Sequence, residues 1–247
     1  MMQLTDIDMS PAVVASAMAW WSDAGVDTFV NETPRDWLSM PAQPARAVSV
    51  AAAPQIDFGA PLPATLEAFL DWFATSADVF AGAAPSQRVR PAGDPNATLM
   101  VLIDMPEPED AAAGHLLAGE CGDLFDKMLG ALKLDRSTIW FAPMMPTRVI
   151  GGPQSDAEAE RIAEIARHHV RLVAPKKLWL LGRAASRSIL GMDEAAARGR
   201  LHFVNQDTAK NVQTKMDVIA SVHPKVLLQM PKRKAEVWSD MQKLFEV

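Results

Sequence analysis

The chain has 247 residues, 49% of them apolar, which is enough for a buried core and too many for wholesale disorder. The formal net charge of −6 argues mildly against a polyanionic partner, but it hides a split: residues 1–170 carry 10 basic against 23 acidic side chains, and residues 171–247 carry 14 against 7. A single cysteine, Cys121, excludes a disulfide framework and any multi-cysteine metal site within one chain, and no run approaches the roughly 18 apolar residues of a membrane helix.

The start, MMQLTDIDMSP, has acidic residues and no basic n-region, so no signal peptide is expected and the default location is cytoplasmic. Residues 10–25, SPAVVASAMAWWSDAG, predict a short helix with Ser10 and Pro11 at N-cap and N1 and Gly25 ending it, within an N-terminal segment over 1–30. Residues 31–62 are rich in Ala and Pro and predict a linker or an extended strap. The compact domain is expected over 63–247. It opens with TLEAFLDWFATSADVF, whose apolar residues recur at helical spacing. TLMVLID (98–104) predicts a buried strand, GDLFDKMLGALKL (122–134) an amphipathic helix and STIWFAP (137–143) a second strand. SDAEAERIAEIARHHVRLVAP predicts a helix capped by Ser155 and stopped before Pro175. KKLWLLG (176–182) is a third strand, RAASRSILG a short helix ending at Gly191, and MDVIASVHP (216–224) a fourth strand. PKRKAEVWSDMQKLFEV predicts a final helix with Pro231 in its first turn.

Strands alternating with helices predict an α/β fold, a three-layer α/β/α domain around a four-stranded parallel sheet. In such sheets ligands bind beyond the C-terminal strand ends. That rule selects Asp104 with Met105 and Pro106, the residues 141–143 that include Phe141, Gly182 with Arg183, and His223 with Pro224. Asp104 there is suited to positioning a water or stabilising a developing cation, and His223 to donating a hydrogen bond to an anionic leaving group. The alternative is that Asp104 caps a loop and His223 fixes a turn. Leu227 and Leu228 follow the histidine, flanked by Lys225, Lys232, Arg233 and Lys234. Apolar tips beside cations fit a wedge entering a DNA groove with phosphate clamps around it, unless the leucines pack into the core.

Other motifs carry less. His168 and His169 are adjacent on a helix, face different ways and make no chelating i, i+4 pair. LLGRAAS lacks G-x-G-x-x-G, and neither G-x-S-x-G nor a P-loop occurs. Cys121 lies at a helix start where a thiolate is stabilised, but it has no evident partner and reads as a structural thiol.

From residue 98 to the end the chain resembles the uracil-DNA glycosylase superfamily, in particular its family-4 branch. That branch opens with a strand and G-E-A-P-G, an acidic stretch, then G-R-P-F-V-G-R-A-G-x-L-L-D; here 103–129 read IDMPEPEDAAAGHLLAGECGDLFDKML without a gap. Asp104 takes the place of the catalytic carboxylate, and Pro106, Gly114, Gly119, Gly122 and Asp126 match. The second motif, H-P-S-x-L-L-R, is met by HPKVLLQ (223–229), the following K-x-x-x-W-x-D-L by KAEVWSDM (234–241), and L-V-x-P-K-x-I-x-x-L-G by LVAPKKLWLLG. The resemblance implies an enzyme that flips a uracil out of DNA. Asp104 would help a water attack the sugar carbon, and His223 would stabilise the departing base anion. Met105, Pro106, Leu117 and Phe141 would line the base pocket, and the loop after His223 would fill the vacated stack.

The chain also departs from the family pattern. The third and fourth cysteines of the family-4 iron–sulfur cluster align with Met145 and Ile162, and no N-terminal C-x-x-C exists, so no cluster, metal or other cofactor is expected. The base-reading asparagine aligns with Phe141 and the stacking phenylalanine with Leu117. Two motif glycines become Ile103 and Glu107, whose side chains narrow the pocket, and Asp104 is shorter than the family glutamate. The expectation is therefore a base-excision-repair protein with weak or altered activity on uracil, or else a non-catalytic descendant acting as a DNA- or protein-binding module. It is expected to be a monomer without membrane contact, binding DNA weakly and with strong salt sensitivity.

Overall fold

The computed structural model describes residues 10–25, 61–76, 85–149, 151–153, 155–207 and 213–245. The chain divides into two units, Met1–Ala51 and Ala52–Val247. In the first, α1 (Pro11–Asp23) buries none of its side chains, and Trp20 and Trp21 meet edge to face at 5.4 Å. The strap expected over 31–62 falls outside the described residues except for its last two positions.

The second unit runs α2 (Leu66–Thr75), β1 (Ala92–Gly93), β2 (Leu99–Ile103), α3 (Asp110–Ala113), α4 (Gly119–Ala131), β3 (Trp140–Pro143), α5 (Asp156–Val173), β4 (Lys177–Leu181), α6 (Arg183–Leu190), α7 (Glu194–Ala197), β5 (His202–Asp207), β6 (Gln213–Ser221), α8 (Pro224–Gln229) and α9 (Lys234–Phe245). Its sheet is mixed and six-stranded, in the order β1-β3-β2-β4-β6-β5. The expected four-stranded sheet undercounts it. The four strands read from sequence are parallel neighbours at the centre, and β1 and β5 add antiparallel edges.

The central strands are continuous apolar runs because both faces are covered. Met100 and Leu102 pack under α2 and α5, while Leu99, Val101 and Ile103 pack under α4, α8 and α9. The register sets Ile103 opposite Pro143 and Leu181, and Leu181 opposite Ser221, so the four C-terminal ends form one rim. α5 begins as expected, the Ser155 hydroxyl accepting from the Glu158 N–H at 3.2 Å, and α2 is capped likewise by Thr65. Two helix boundaries differ from expectation. α4 starts three residues early, at Gly119, and stops before Lys133, whose φ is +58°. Pro231 opens a 3₁₀ turn, Pro231–Arg233, rather than the last helix. No helix of the described residues is long and apolar enough to cross a membrane.

His168 and His169 diverge on α5. His168 Nε2 reaches the Pro63 carbonyl at 2.7 Å, whereas His169 is buried against Phe69 and accepts from the Trp140 indole N–H at 3.0 Å. Burial pushes the His169 imidazole down to about 3, with His168 adding to the effect. Unfolding returns it to its usual 6.5. The unfolded chain therefore takes up a proton that the native state refuses. The contribution is intact above pH 6.5 and is lost as pH falls through the window down to about 3. We predict a loss of about 5 kcal/mol across that window, most of it above pH 4. Urea midpoints of wild type and His169→Gln measured from pH 7 to 4 check it: the wild type should fall more steeply.

Candidate functional site

Asp104 stands one residue past β2 and spans the gap to α6. Its Oδ2 accepts from the Ala184 N–H at 3.1 Å and its Oδ1 from the Ala185 N–H at 2.7 Å. Both oxygens thus satisfy orphan donors at the first turn of a helix 80 residues away. Gly182 permits the approach. Its φ is +126°, and a Cβ there would lie 2.6 Å from the Asp104 Cγ. Burial raises the Asp104 pKa, opposed by the two N–H bonds and by Arg183.

His223 follows β6 and is the N-cap of α8, its Nδ1 accepting from the Lys225 N–H at 3.3 Å. In the neutral ring that bond assigns the proton to Nε2, leaving a donor on the far side. Burial lowers the His223 pKa, while Glu107 pulls the other way. Glu107, expected to narrow the pocket and to bring negative charge close to DNA phosphates, links the two motifs. Its side chain is only 9% exposed; Oε2 takes the Lys225 ammonium at 2.5 Å and the Arg148 guanidinium at 3.5 Å, and Oε1 lies 3.8 Å from His223 Nδ1. Beneath it Asp110, fully buried, accepts from the backbone N–H groups of Glu107, Leu117 and Ala118 at 2.7–2.9 Å and folds the whole 104–118 loop back on itself. Nothing in the sequence marks Arg148 or Asp110. An acid surrounded by alanines and prolines gives no linear sign of three backbone donors.

The four expected base-pocket residues do not share one cavity. Leu117 and Phe141 line a cavity of about 460 Å³ with Arg136 and Asp126, whereas Asp104 and Met105 line another of about 750 Å³ between α5 and α6. Pro106 is buried. Phe141 stacks on Phe125 at 4.9 Å, and Arg136 lies 5.7 Å and 6.0 Å over the two rings. Leu117 is fully buried at φ +49°, its carbonyl held by Arg136 at 2.9 Å. Both side chains are buried in the wall of that cavity.

The leucine wedge needs correcting. Residues 224–229 are helix rather than loop tip, so Leu227 and Leu228 point apart; Leu227 is 1% exposed and packs in the core, and only Leu228 reaches solvent. Of the four flanking cations, Lys225 is bound to Glu107, Arg233 pairs with Glu236 at 3.4 Å, and Lys232 and Lys234 are exposed. Cys121 is no activated thiol, since burial and Glu107 raise its pKa.

The two positions aligned with cluster cysteines, Met145 and Ile162, are buried side by side on the wall of the larger cavity, with no thiol among its lining residues. Cys121 packs against the core on the opposite face of the sheet. These residues do not fit a cysteine-ligated iron–sulfur cluster. Among the described residues no group of three His, Cys, Asp or Glu side chains is placed to hold a metal ion.

The family model described as the uracil DNA glycosylase superfamily matches residues 90–242, well over half the chain. The chain belongs to the uracil-DNA glycosylase superfamily. Within it the likeness is to family 4: the type-4 uracil-DNA glycosylase of Archaeoglobus fulgidus is 22% identical over 162 residues, which cover 63% of this chain and 79% of that protein.

Gly182→Ala places a methyl group against the Asp104 carboxylate at an unfavourable φ. It should destabilise the protein by about 1–3 kcal/mol from backbone strain alone, with more from the clash. Gly191→Ala, at φ +68° with nothing near the added Cβ, should cost about 1–2 kcal/mol from the left-handed backbone alone, with no clash added. Denaturant titration of the two variants checks the difference.

Proposed function

We propose that the protein acts on DNA in base-excision repair, as a superfamily glycosylase with little or altered activity on uracil. The observation that carries this reading is the bond from the Lys225 N–H to His223 Nδ1. Because Nδ1 accepts the Lys225 N–H, the neutral ring presents Nε2–H as a donor. In N-glycosidic hydrolysis the bond between C1′ and the base nitrogen breaks and its electron pair leaves with the base. A water oxygen bonds to C1′ and releases a proton. A neutral donor held at the departing base stabilises the anion without first surrendering a proton. Each Asp104 oxygen retains a lone pair beyond its helix bond, so the carboxylate is able to orient the water. Lys232, Lys234 and the exposed Leu228 are the groups offered to DNA.

The base-reading wall argues for the lowered activity on uracil. A phenyl ring at Phe141 pairs with neither polar group of a uracil edge, and each orphaned group costs about 1–3 kcal/mol. Two such losses lower the rate by about two orders of magnitude or more. A second reading, a non-catalytic DNA- or protein-binding descendant, draws on Asp104: a carboxylate capping α6 has a structural reason to be there without any chemistry.

Oligonucleotides carrying uracil, hypoxanthine or xanthine, treated with the protein and cleaved with alkali, separate the two. The proposal expects slow release of at least one base, lost in His223→Ala and Asp104→Asn. Rapid uracil release would overturn the reading of Phe141, and no release from any strand would leave the non-catalytic descendant. The protein is also expected to purify colourless, with less than stoichiometric iron and no absorbance near ~400 nm of a cysteine-ligated cluster. Elemental analysis checks this, and one cluster per chain would overturn it.

A further inference from the structure

Arg148 and Lys225 come from different parts of the chain, one in the loop after β3 and one at the start of α8. Both converge on the same Glu107 oxygen. Each cation's side chain is 42% exposed while the carboxylate is 9% exposed, so two cationic tips face solvent above a buried acceptor, next to His223. Lys225 keeps two further ammonium donors, and Arg148 has guanidinium N–H groups beyond those directed at Glu107 and the Pro106 carbonyl. The other charged group facing this corner, Asp110, is fully engaged by backbone N–H donors. The corner therefore sets two solvent-facing cations over two buried carboxylates, Glu107 and Asp110, so the groups that an anion would meet first are the positive ones.

We infer that Arg148 and Lys225 form a subsite for a backbone phosphodiester of DNA beside His223, and that Glu107 holds both cations in place while damping their charge. The inference rests on the reading that DNA is the partner, and it adds Arg148 to the contact surface. Two cations set side by side match the two free oxygens of a phosphodiester, and the adjacent histidine places that phosphate next to the nucleotide under attack. Where the family keeps a glycine, this chain has put a carboxylate that trades binding strength for a fixed geometry.

Glu107→Gln isolates the charge, since the amide oxygen still accepts from Lys225. Fluorescence anisotropy with a short single-stranded DNA, from 0.05 to 1 M salt, reads the result. The variant should bind more tightly, by about fivefold at 0.1 M salt with the gain vanishing toward 1 M, because the log–log salt slope on a single strand steepens by about 0.7 for each further phosphate that a cation neutralises. The gain should disappear with a methylphosphonate strand of the same sequence, and again when Arg148→Ala or Lys225→Ala is added to Glu107→Gln. If the wild type binds and Glu107→Gln leaves affinity and slope unchanged, the subsite is wrong and the DNA reading stands. If neither protein binds at 0.05 M salt, both fall. Should Glu107→Gln melt early, Arg148→Ala and Lys225→Ala in the wild type decide, because both side chains are half exposed. Each should flatten the slope by about 0.7, and an unchanged slope overturns the subsite.

Discussion

Four parallel strands buried on both faces can satisfy their backbone groups only by pairing with one another in a single register. Everything else in the domain follows from that constraint. It levels the ends of β2, β3, β4 and β6 into one rim, so the residues just past them are neighbours although more than a hundred positions separate the first from the last. Asp104, the Met144–Met145 pair, Gly182 and His223 are all such residues. The helix N-termini that leave the same rim expose N–H groups, and Asp104 and His223 each meet some of them.

The strands that build the rim are legible in the sequence because each is an apolar run bounded by charged or turn residues. The edges are not. β1 is two residues long, and β5, HFVNQD, is half polar because it pairs on one side only. The rule that sites lie past the C-terminal strand ends finds Asp104 and His223 without their contacts. It does not find Glu107 as a ligand of Lys225, since the two are 118 residues apart and sit in separate motifs whose spacing says nothing of a contact between them. Asp110 is invisible for a similar reason, its partners being backbone groups that any residue supplies. The Leu227–Leu228 pair misleads because adjacency in sequence suggests a shared tip, whereas a helix turns about 100° per residue and sends one leucine inward.

Phe141 and Leu117 on one face of the sheet, and Met145 and Ile162 on the other, belong to the apolar core. Phe141 and Phe125 stack under the Arg136 guanidinium, and that group also ties the Leu116 and Leu117 carbonyls and Asp126 together. Gly122 makes room for the arrangement, since a Cβ there would sit 2.0 Å from the Leu117 carbonyl oxygen. On the opposite face of the sheet Met145 and Ile162 join a continuous apolar cluster. Both groups are held by dispersion contacts, which need no partner outside the chain.

His223 is constrained from two sides, and the constraints differ in what they tolerate. A helix start asks only for an acceptor, a role that Asn, Asp and Ser fill as well as or better than His. A donor on the far side of the ring is something those residues supply poorly or not at all. In a lineage freed from chemistry, drift at this position should run toward the small capping residues and stay clear of alanine or leucine, since the helix would still be under selection. The residue found there in each descendant thus records which constraint persisted: histidine where the far face is still in use, a short cap where only the fold remains.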